Sequence, residues 1–354
     1  MKAVKRITRW VLILALLAGL YVGGVIAYAW VTDYLPEPQE ASLIQDSGNP
    51  QLNIATDSFS LFCWNIGFAG LGEESDFFYD GGKQVHMSRP VVEKNLTGIK
   101  QVLARYRAET DFFLLQEVDQ SSNRSHSINQ VEAFAEILDG YSYAFGKNYD
   151  VGFVPVPITN PLGGVLSGLS SFSRYKPAEA TRYAFEGNYK FPNYLFFLDR
   201  CFLLTRFPLA NGQDLVVINT HNSAYDKGNL RKSQMQQMTD ILVQEYEKGN
   251  YVIVGGDWNQ RAPGFPGFTR PYPAMSVPKV YPAPDWKWAF DPKVPTNRAL
   301  KAPFNTDTTS RTLIDFYLLS PNVEVLKVES IDLDFAYSDH QPVRLWVRLL
   351  GLQP

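Results

Sequence analysis

The sequence predicts one α/β or α+β sandwich domain behind a single N-terminal membrane-spanning segment, and three observations carry that reading. Short β-rich apolar runs alternate with amphipathic helical stretches along most of the chain. The 354 residues are 45% hydrophobic and 14% aromatic, ample for a large core. An uninterrupted apolar run from Trp10 to Val31 follows a basic flank at residues 1–9 that holds Lys2, Lys5, Arg6 and Arg9. No internal repeat is visible.

The apolar run at residues 10–31 is long enough to cross a bilayer as a helix. Its basic flank stays cytoplasmic, which sends everything after Asp33 to the other side. Ala27-Tyr28-Ala29 also fits a small-x-small cleavage site, so a removed signal peptide competes with an anchor. Both readings export the domain. The expectation is a single-pass membrane protein whose domain is periplasmic or extracellular, or a secreted protein if the segment is cleaved. Residues 32–57, polar and carrying Pro36, Pro38, Asn49 and Pro50, read as a linker.

The domain is expected over residues 58–350. Strands are predicted at Phe59–Trp64 and Asp111–Gln116, separated by a helix that opens at Ser88 with Pro90 in its first turn. Further strands are predicted at Tyr141–Phe145, Gly164–Phe172, Tyr194–Thr205 and Leu215–Asn219. Leu230, Met238, Ile241, Leu242 and Tyr246 make the buried stripe of a helix over about Asn229–Lys248. Strands at Tyr251–Val254, Thr312–Leu319, Val323–Ser330 and Pro342–Leu349 close the fold. Cys63 and Cys201 each lie in an apolar strand-like run and read as two buried free thiols in preference to a disulfide. The net charge of −3 supplies no global field for nucleic acid, so any such binding rests on a local patch.

Polar residues stand at the ends of these apolar strands. They are Asn65 in Trp-Asn, Glu117 in Leu-Gln-Glu-Val, His221 in Asn-Thr-His, Asp257 and Asn259 in Gly-Gly-Asp-Trp-Asn, Asp315 in Leu-Ile-Asp-Phe-Tyr, and Asp339-His340 in Ser-Asp-His-Gln-Pro. Burying a carboxylate there as structure alone is costly. Phosphodiester hydrolysis needs a Lewis acid on the phosphoryl oxygens, a directed water and neutralisation of transition-state charge. Magnesium, or manganese in its place, suits the first need and favours one or two carboxylates. Glu117 is placed as such a ligand. Alternation along an extended segment puts Asp257 and Asn259 on one side, one to orient water and the other to donate to a phosphate oxygen. Gly255 and Gly256 permit close backbone approach. His221 and His340 suit phosphate contact and proton transfer, and Asp315 can fix an imidazole tautomer.

In order and flanks these motifs resemble the endonuclease/exonuclease/phosphatase superfamily with its DNase I-like fold, from Asn65 to His340. The resemblance implies a four-layered α/β sandwich with two facing mixed sheets and a site at one sheet edge. It implies metal ligation by Asn65, Glu117 and Asp339, and water positioning and transition-state stabilisation by Asp257 and Asn259. It also places His221 on the phosphate and pairs Asp315 with His340. One departure stands: the mid-chain glutamate that often supports the first histidine has no match here.

Arg200 and Arg124 are candidate phosphate contacts, with ion pairing as the alternative for Arg200. Asp119 reads as a supporting or solvated acid, and His86 and His126 as loop histidines. The segment between Asn259 and Asp315 is locally basic and rich in proline and aromatics, among them Phe265, Phe268, Tyr272, Tyr281, Trp286 and Trp288. It reads as a substrate-selecting wall, or equally as aromatic surface packing. A second loop, Gly67 to Arg89, carries Phe77, Phe78, Tyr79 and Asp80. The activity expected is that of a divalent-metal-dependent phosphodiesterase acting outside the cytoplasm on nucleic acid or on a phospholipid or sphingomyelin headgroup. The alternative is a non-catalytic module on the same fold that binds a phosphorylated ligand. No protein partner is expected.

Overall fold

The computed structural model describes residues 2–48, 57–224, 229–268, 276–278 and 281–352. Tyr272, one of the aromatics singled out above, lies outside them.

The chain runs α1 (Lys2–Val31), β1 (Gln39–Ala41), β2 (Ile44–Gln45), β3 (Ser58–Asn65), α2 (Arg89–Tyr106), β4 (Phe112–Asp119), α3 (Gln130–Ile137), β5 (Ser142–Val154), β6 (Gly163–Ser173) and β7 (Glu179–Ala184). It continues through β8 (Cys201–Pro208), β9 (Asp214–His221), α4 (Asn229–Glu247), β10 (Tyr251–Asp257), β11 (Lys287–Ala289), β12 (Asn297–Arg298), β13 (Arg311–Thr312), β14 (Asp315–Leu319), β15 (Val323–Ser330) and β16 (Val343–Leu349).

Two seven-stranded mixed sheets form the centre, in the orders β1-β7-β8-β9-β10-β14-β11 and β15-β16-β3-β4-β6-β5-β2. Strand alternation assigns the layers. Phe59, Leu61 and Cys63 of β3 and Phe112 and Leu114 of β4 meet Leu215, Val217, Ile253, Tyr317 and Leu319 between the sheets. On the outer face of the second sheet, Phe62, Trp64, Phe113 and Leu115 pack under α2 and α3. On the outer face of the first, Val216, Ile218, Val252 and Val254 pack under α4 and the segment after β10. The result is helix, sheet, sheet, helix, the four-layered arrangement that the motifs implied. Helix α2 starts where Ser88 and Pro90 predict: Ser88 is extended at the N-cap, and the proline sits where a missing N–H costs nothing. Cys63 and Cys201 are buried free thiols.

Several elements differ from expectation. Part of the stretch read as a linker is woven into the domain, since β1 pairs with β7 and β2 with β5, each capping one sheet edge. Strands this short carry no legible alternation. The strand expected at Tyr194–Thr205 begins only at Cys201, because Asn193–Phe196 coils into a short 3-10 turn after Phe191-Pro192. The wall expected between Asn259 and Asp315 is mostly core: Phe265, Tyr281 and Trp286 are buried around Trp258 and Phe316, with Phe268 and Trp288 half-buried against them. Among the described residues between Asn259 and Asp315, it contributes Asn297, Arg298, Leu300 and Ile314 to the cavity described below.

Candidate active site

The named polar residues converge because β3, β4, β9, β10 and β14 deliver their ends to one edge of the sandwich. Parallel pairing aligns Asn65 with Gln116 and Asp257 with His221, and antiparallel pairing sets Asp257 opposite Asp315. Gly255 and Gly256 make this possible. A Cβ on Gly256 would lie 2.0 Å from the Thr220 carbonyl oxygen, and one on Gly255 would lie 2.5 Å from the Tyr317 ring.

Two acceptors are aimed by unusual backbone. Glu117 has φ of 54° at a bulge where the β4–β6 register breaks between Leu115 and Val118. Asn259 has φ of 49° just beyond β10. Left-handed backbone at non-glycine residues costs about 1–3 kcal/mol and persists only where the surroundings enforce it. This corrects one expectation: Asp257 and Asn259 share a side because the chain turns at Asn259, not because an extended segment alternates. The Asn259 backbone N–H donates to Asp257 Oδ1 at 2.8 Å, and its side-chain Nδ2 donates to the Asn222 carbonyl at 2.9 Å.

Glu117, His221, Asp257, Asn259, Asp339 and His340 line one cavity of about 280 Å³, and Arg124 and Arg200 flank it. Asn65 and Asp315 lie behind. Asn65 Nδ2 donates to Glu117 Oε1 at 3.2 Å and to Asp257 Oδ2 at 3.0 Å, which ties the two acids together. Asp315 holds His340 through Nδ1, at 2.8 and 3.0 Å to its two oxygens.

The two histidines sit in opposite fields. Burial pushes His340 down, but Asp315, Asp339 and Asp257 outweigh it, and the imidazole is held well above its usual pKa. His221 is pushed well below it, by burial first and then by Arg200, His340 and Arg124. Its Nδ1 makes no hydrogen bond among the described residues, so no carboxylate among them holds this imidazole through that nitrogen. Its Nε2 lies 3.5 Å from Asp257 Oδ2 and 3.8 Å from Glu117 Oε1.

The carboxylates are short of counter-charge. Burial pushes Asp257 up to about 6 and Asp339 up to about 7. Among the described residues, the ion-pair partners of Glu117, Asp257 and Asp339 are the two histidines alone, at 3.5 to 3.9 Å. Carboxylate oxygens that face a cavity and form no arginine or lysine ion pair among the described residues suit a hard divalent ion. Ligand atoms of Asp257, Asp315 and His340 also lie within 4.8 Å of one another and can hold a metal. Both Asp315 oxygens are already engaged by His340, however, which leaves Glu117, Asp257 and Asp339 as the acids open to the cavity.

Arg124 is spent on structure: it pairs with Asp119 at 2.9 Å and lies 3.8 Å over the Phe68 ring. Arg200 Nη1 is buried without a hydrogen-bond partner, and the residue forms no ion pair with Asp199 among the described residues. His86 and His126 bond to the carbonyls of Pro161 and Met87, away from the cavity. Sequence reasoning missed Asn297, whose amide lies 2.9 Å from His340 Nε2. Arg298, within the locally basic segment, is buried and donates to the carbonyls of Leu71, Gly72 and Ser75. It thereby pins the 67–80 loop, which supplies Phe68, Leu71, Phe77, Tyr79 and Asp80 to the cavity wall.

The model of the Endonuclease/Exonuclease/phosphatase family matches residues 63–340. No curated protein matches the chain. Among solved structures, an endonuclease/exonuclease/phosphatase from Beutenbergia cavernae is similar at a TM-score of 0.57 and 21% identity, over 83% of this chain and 72% of that one. The human Nocturnin catalytic domain with bound sulfate is similar at a TM-score of 0.54 and 16% identity, over 87% and 97%. D. rerio TDP2 complexed with single-strand DNA product is similar at 0.52 and 16%, over 82% and 99%. At these identities the likeness is one of fold.

Proposed function

Because the chain belongs to the endonuclease/exonuclease/phosphatase family, we propose that it is a divalent-metal-dependent phosphodiesterase acting outside the cytoplasm. The observation that carries the reading is one cavity where Glu117, Asp257 and Asp339, without an arginine or lysine ion pair among the described residues, meet the imidazoles of His221 and His340. Family membership supports phosphoesterase or nuclease chemistry.

Glu117 and Asp339, with Asn65 behind them, would hold magnesium or manganese, which when bound supplies Lewis-acid polarisation of the phosphoryl group. Asp257, fixed by Asn65 and the Asn259 N–H, orients the attacking water and accepts its proton; a pKa of about 6 suits a base near neutrality. The new P–O bond forms as the bond to the leaving oxygen breaks. His340, kept protonated by Asp315, donates from Nε2 toward the oxygens that gain charge. His221, neutral, serves as a hydrogen-bond donor to the phosphate, and Arg200 directs its unpartnered Nη1 to a phosphate oxygen.

A cavity of about 280 Å³ walled by Tyr79, Phe197 and Leu300 favours one small phosphoester entering end-on over a duplex lying across the surface. A lipid headgroup or a strand end meets that requirement.

The test is release of p-nitrophenol from bis-p-nitrophenyl phosphate by the full chain in detergent, with magnesium and after chelation. Turnover that needs the metal and vanishes in Asp257→Ala supports the reading. Turnover indifferent to both, or phosphate-ligand binding without turnover, contradicts it; the second result identifies a binding module.

A further inference from the structure

Helix α1 does not leave the domain freely. Its C-terminal part meets the end of β5 at Tyr28 and Gly152, and a groove between the two elements is lined by Leu20, Tyr21, Gly24, Val25 and Tyr28 on the helix and Gly152 and Phe153 on the strand. A Cβ on Gly152 would lie 2.7 Å from the Tyr28 hydroxyl, so this close approach depends on glycine. Ala29 is buried at 4% exposure.

At about 1.5 Å per residue, Leu20 lies roughly 16 Å below the end of α1 at Val31. The helix is apolar enough to cross a membrane, with a mean hydropathy of 2.4. A strand end that touches the helix at Tyr28 and borders a groove reaching down to Leu20 lies beside the outer half of the span, in the same leaflet. The β5–β6 hairpin that continues from it is built for this. From Val151 to Ser173 it carries no charged residue. Its connection exposes Val156 at 39% and Ile158 at 80%. The neighbouring turn at Asn193–Phe196 also contacts α1, and just before it Phe191 is 62% exposed beside an exposed Lys190. An aromatic flanked by a lysine suits the headgroup zone.

We propose that the 155–162 hairpin connection and the 189–193 loop form a second membrane contact that inserts Val156, Ile158 and Phe191 into the leaflet beside α1. The occupant of this face is the lipid bilayer itself, because the apolar surface is continuous with the helix. Leu162, at the end of the first segment, and Phe197 and Leu198, just beyond the Asn193–Phe196 turn that follows the second, line the catalytic cavity. The contact thus ties the cavity wall to the membrane surface and orients the site toward lipid headgroups. This rests on the reading in which α1 is retained as an anchor.

The test places single cysteines at Leu17, Ile158, Phe191 and Leu326 of the full chain, each carrying an NBD label, in phosphatidylcholine vesicles. Cys63 and Cys201 are fully buried and stay unlabelled. Leu326 lies on β15, at the opposite side of the sheet from β5, and is the control. Circular dichroism confirms folding of each variant. The expected result is severalfold quenching by doxyl lipid at Leu17, Ile158 and Phe191 and none at Leu326. Quenching at Leu17 with Ile158 or Phe191 still in water overturns the proposal while leaving the anchor intact. No quenching at Leu17 removes the anchor and the proposal together, and quenching at Leu326 shows that the contact is unspecific.

Discussion

Two buried charge clusters in this domain are built on opposite terms. Around Arg206, on β8, the acids meet their cation: Glu245 accepts from both guanidinium nitrogens at 2.9 and 3.1 Å, and Asp214 accepts at 2.9 Å. Despite burial, Arg206, Lys248 and Asn250 hold Glu245 down at about 2. In the cavity, burial raises Asp257 and Asp339 to about 6 and 7, and among the described residues neither forms an ion pair with a guanidinium. One cluster is complete as the chain folds. In the other, Glu117, Asp257 and Asp339 form no arginine or lysine ion pair among the described residues, and the backbone is strained at Glu117 and Asn259; such acids are what a site for a cation and an anionic substrate needs.

The contrast can be broken most severely at the base. Asp257→Ala is expected to lower kcat/KM by about 10²–10⁴-fold, read from p-nitrophenol release, with the fold intact by circular dichroism. Asp315→Asn comes next. Without its carboxylate, the His340 pKa should fall in an NMR titration and activity should fall with it, by about 10²-fold. An unmoved titration would show that Asp315 does not set the charge of that imidazole.

Between the clusters stands a third case. Arg124 and Asp119 already complete each other, so Asp119→Ala leaves a buried guanidinium unpaired and is expected to cost about 3–5 kcal/mol in chemical denaturation. Arg200→Gln should instead raise KM with little change in stability, because its Nη1 has no hydrogen-bond partner among the described residues.

Stability against pH separates the clusters by sign. Asp339 has a folded pKa raised from 3.8 to about 7. Its contribution is full below 3.8 and is lost as pH rises through about 7. Metal-free Asp339→Asn should therefore match the wild type at pH 4 and melt about 2–4 °C higher at pH 7.5. Glu245 is depressed from 4.5 to about 2, so its contribution is full above 4.5 and is lost as pH falls through about 2. Glu245→Gln should lower the melting temperature at neutral pH by a smaller amount, and the difference should close as the pH falls toward 2.

What the sequence made legible follows the same physics. Asn65, His221 and Asp257 end hydrophobic strands, Glu117 lies near the end of one, Asp315 opens one and His340 stands just before one; a polar residue is conspicuous at each place, and the strands themselves announce two packed sheets. Asn297 was invisible: it lies in a two-residue strand inside a segment without periodicity, and only the fold brings it to His340. The pairing of β1 and β2 was invisible for the same reason. Tyr194–Phe197 misled because aromatic residues favour strands in general, while here they follow a proline and coil. The left-handed turn at Asn259 is likewise set by the surroundings and not by local sequence.

The most direct measurement is a magnesium titration of the metal-free full chain at pH 7.5, followed by thermal melting and calorimetry, beside Glu117→Gln combined with Asp339→Asn. If the cavity is a cation site, magnesium raises the melting temperature of the wild type in proportion to occupancy and leaves the double variant unmoved. A wild type that binds no magnesium, or a double variant that binds it equally well, would contradict the account.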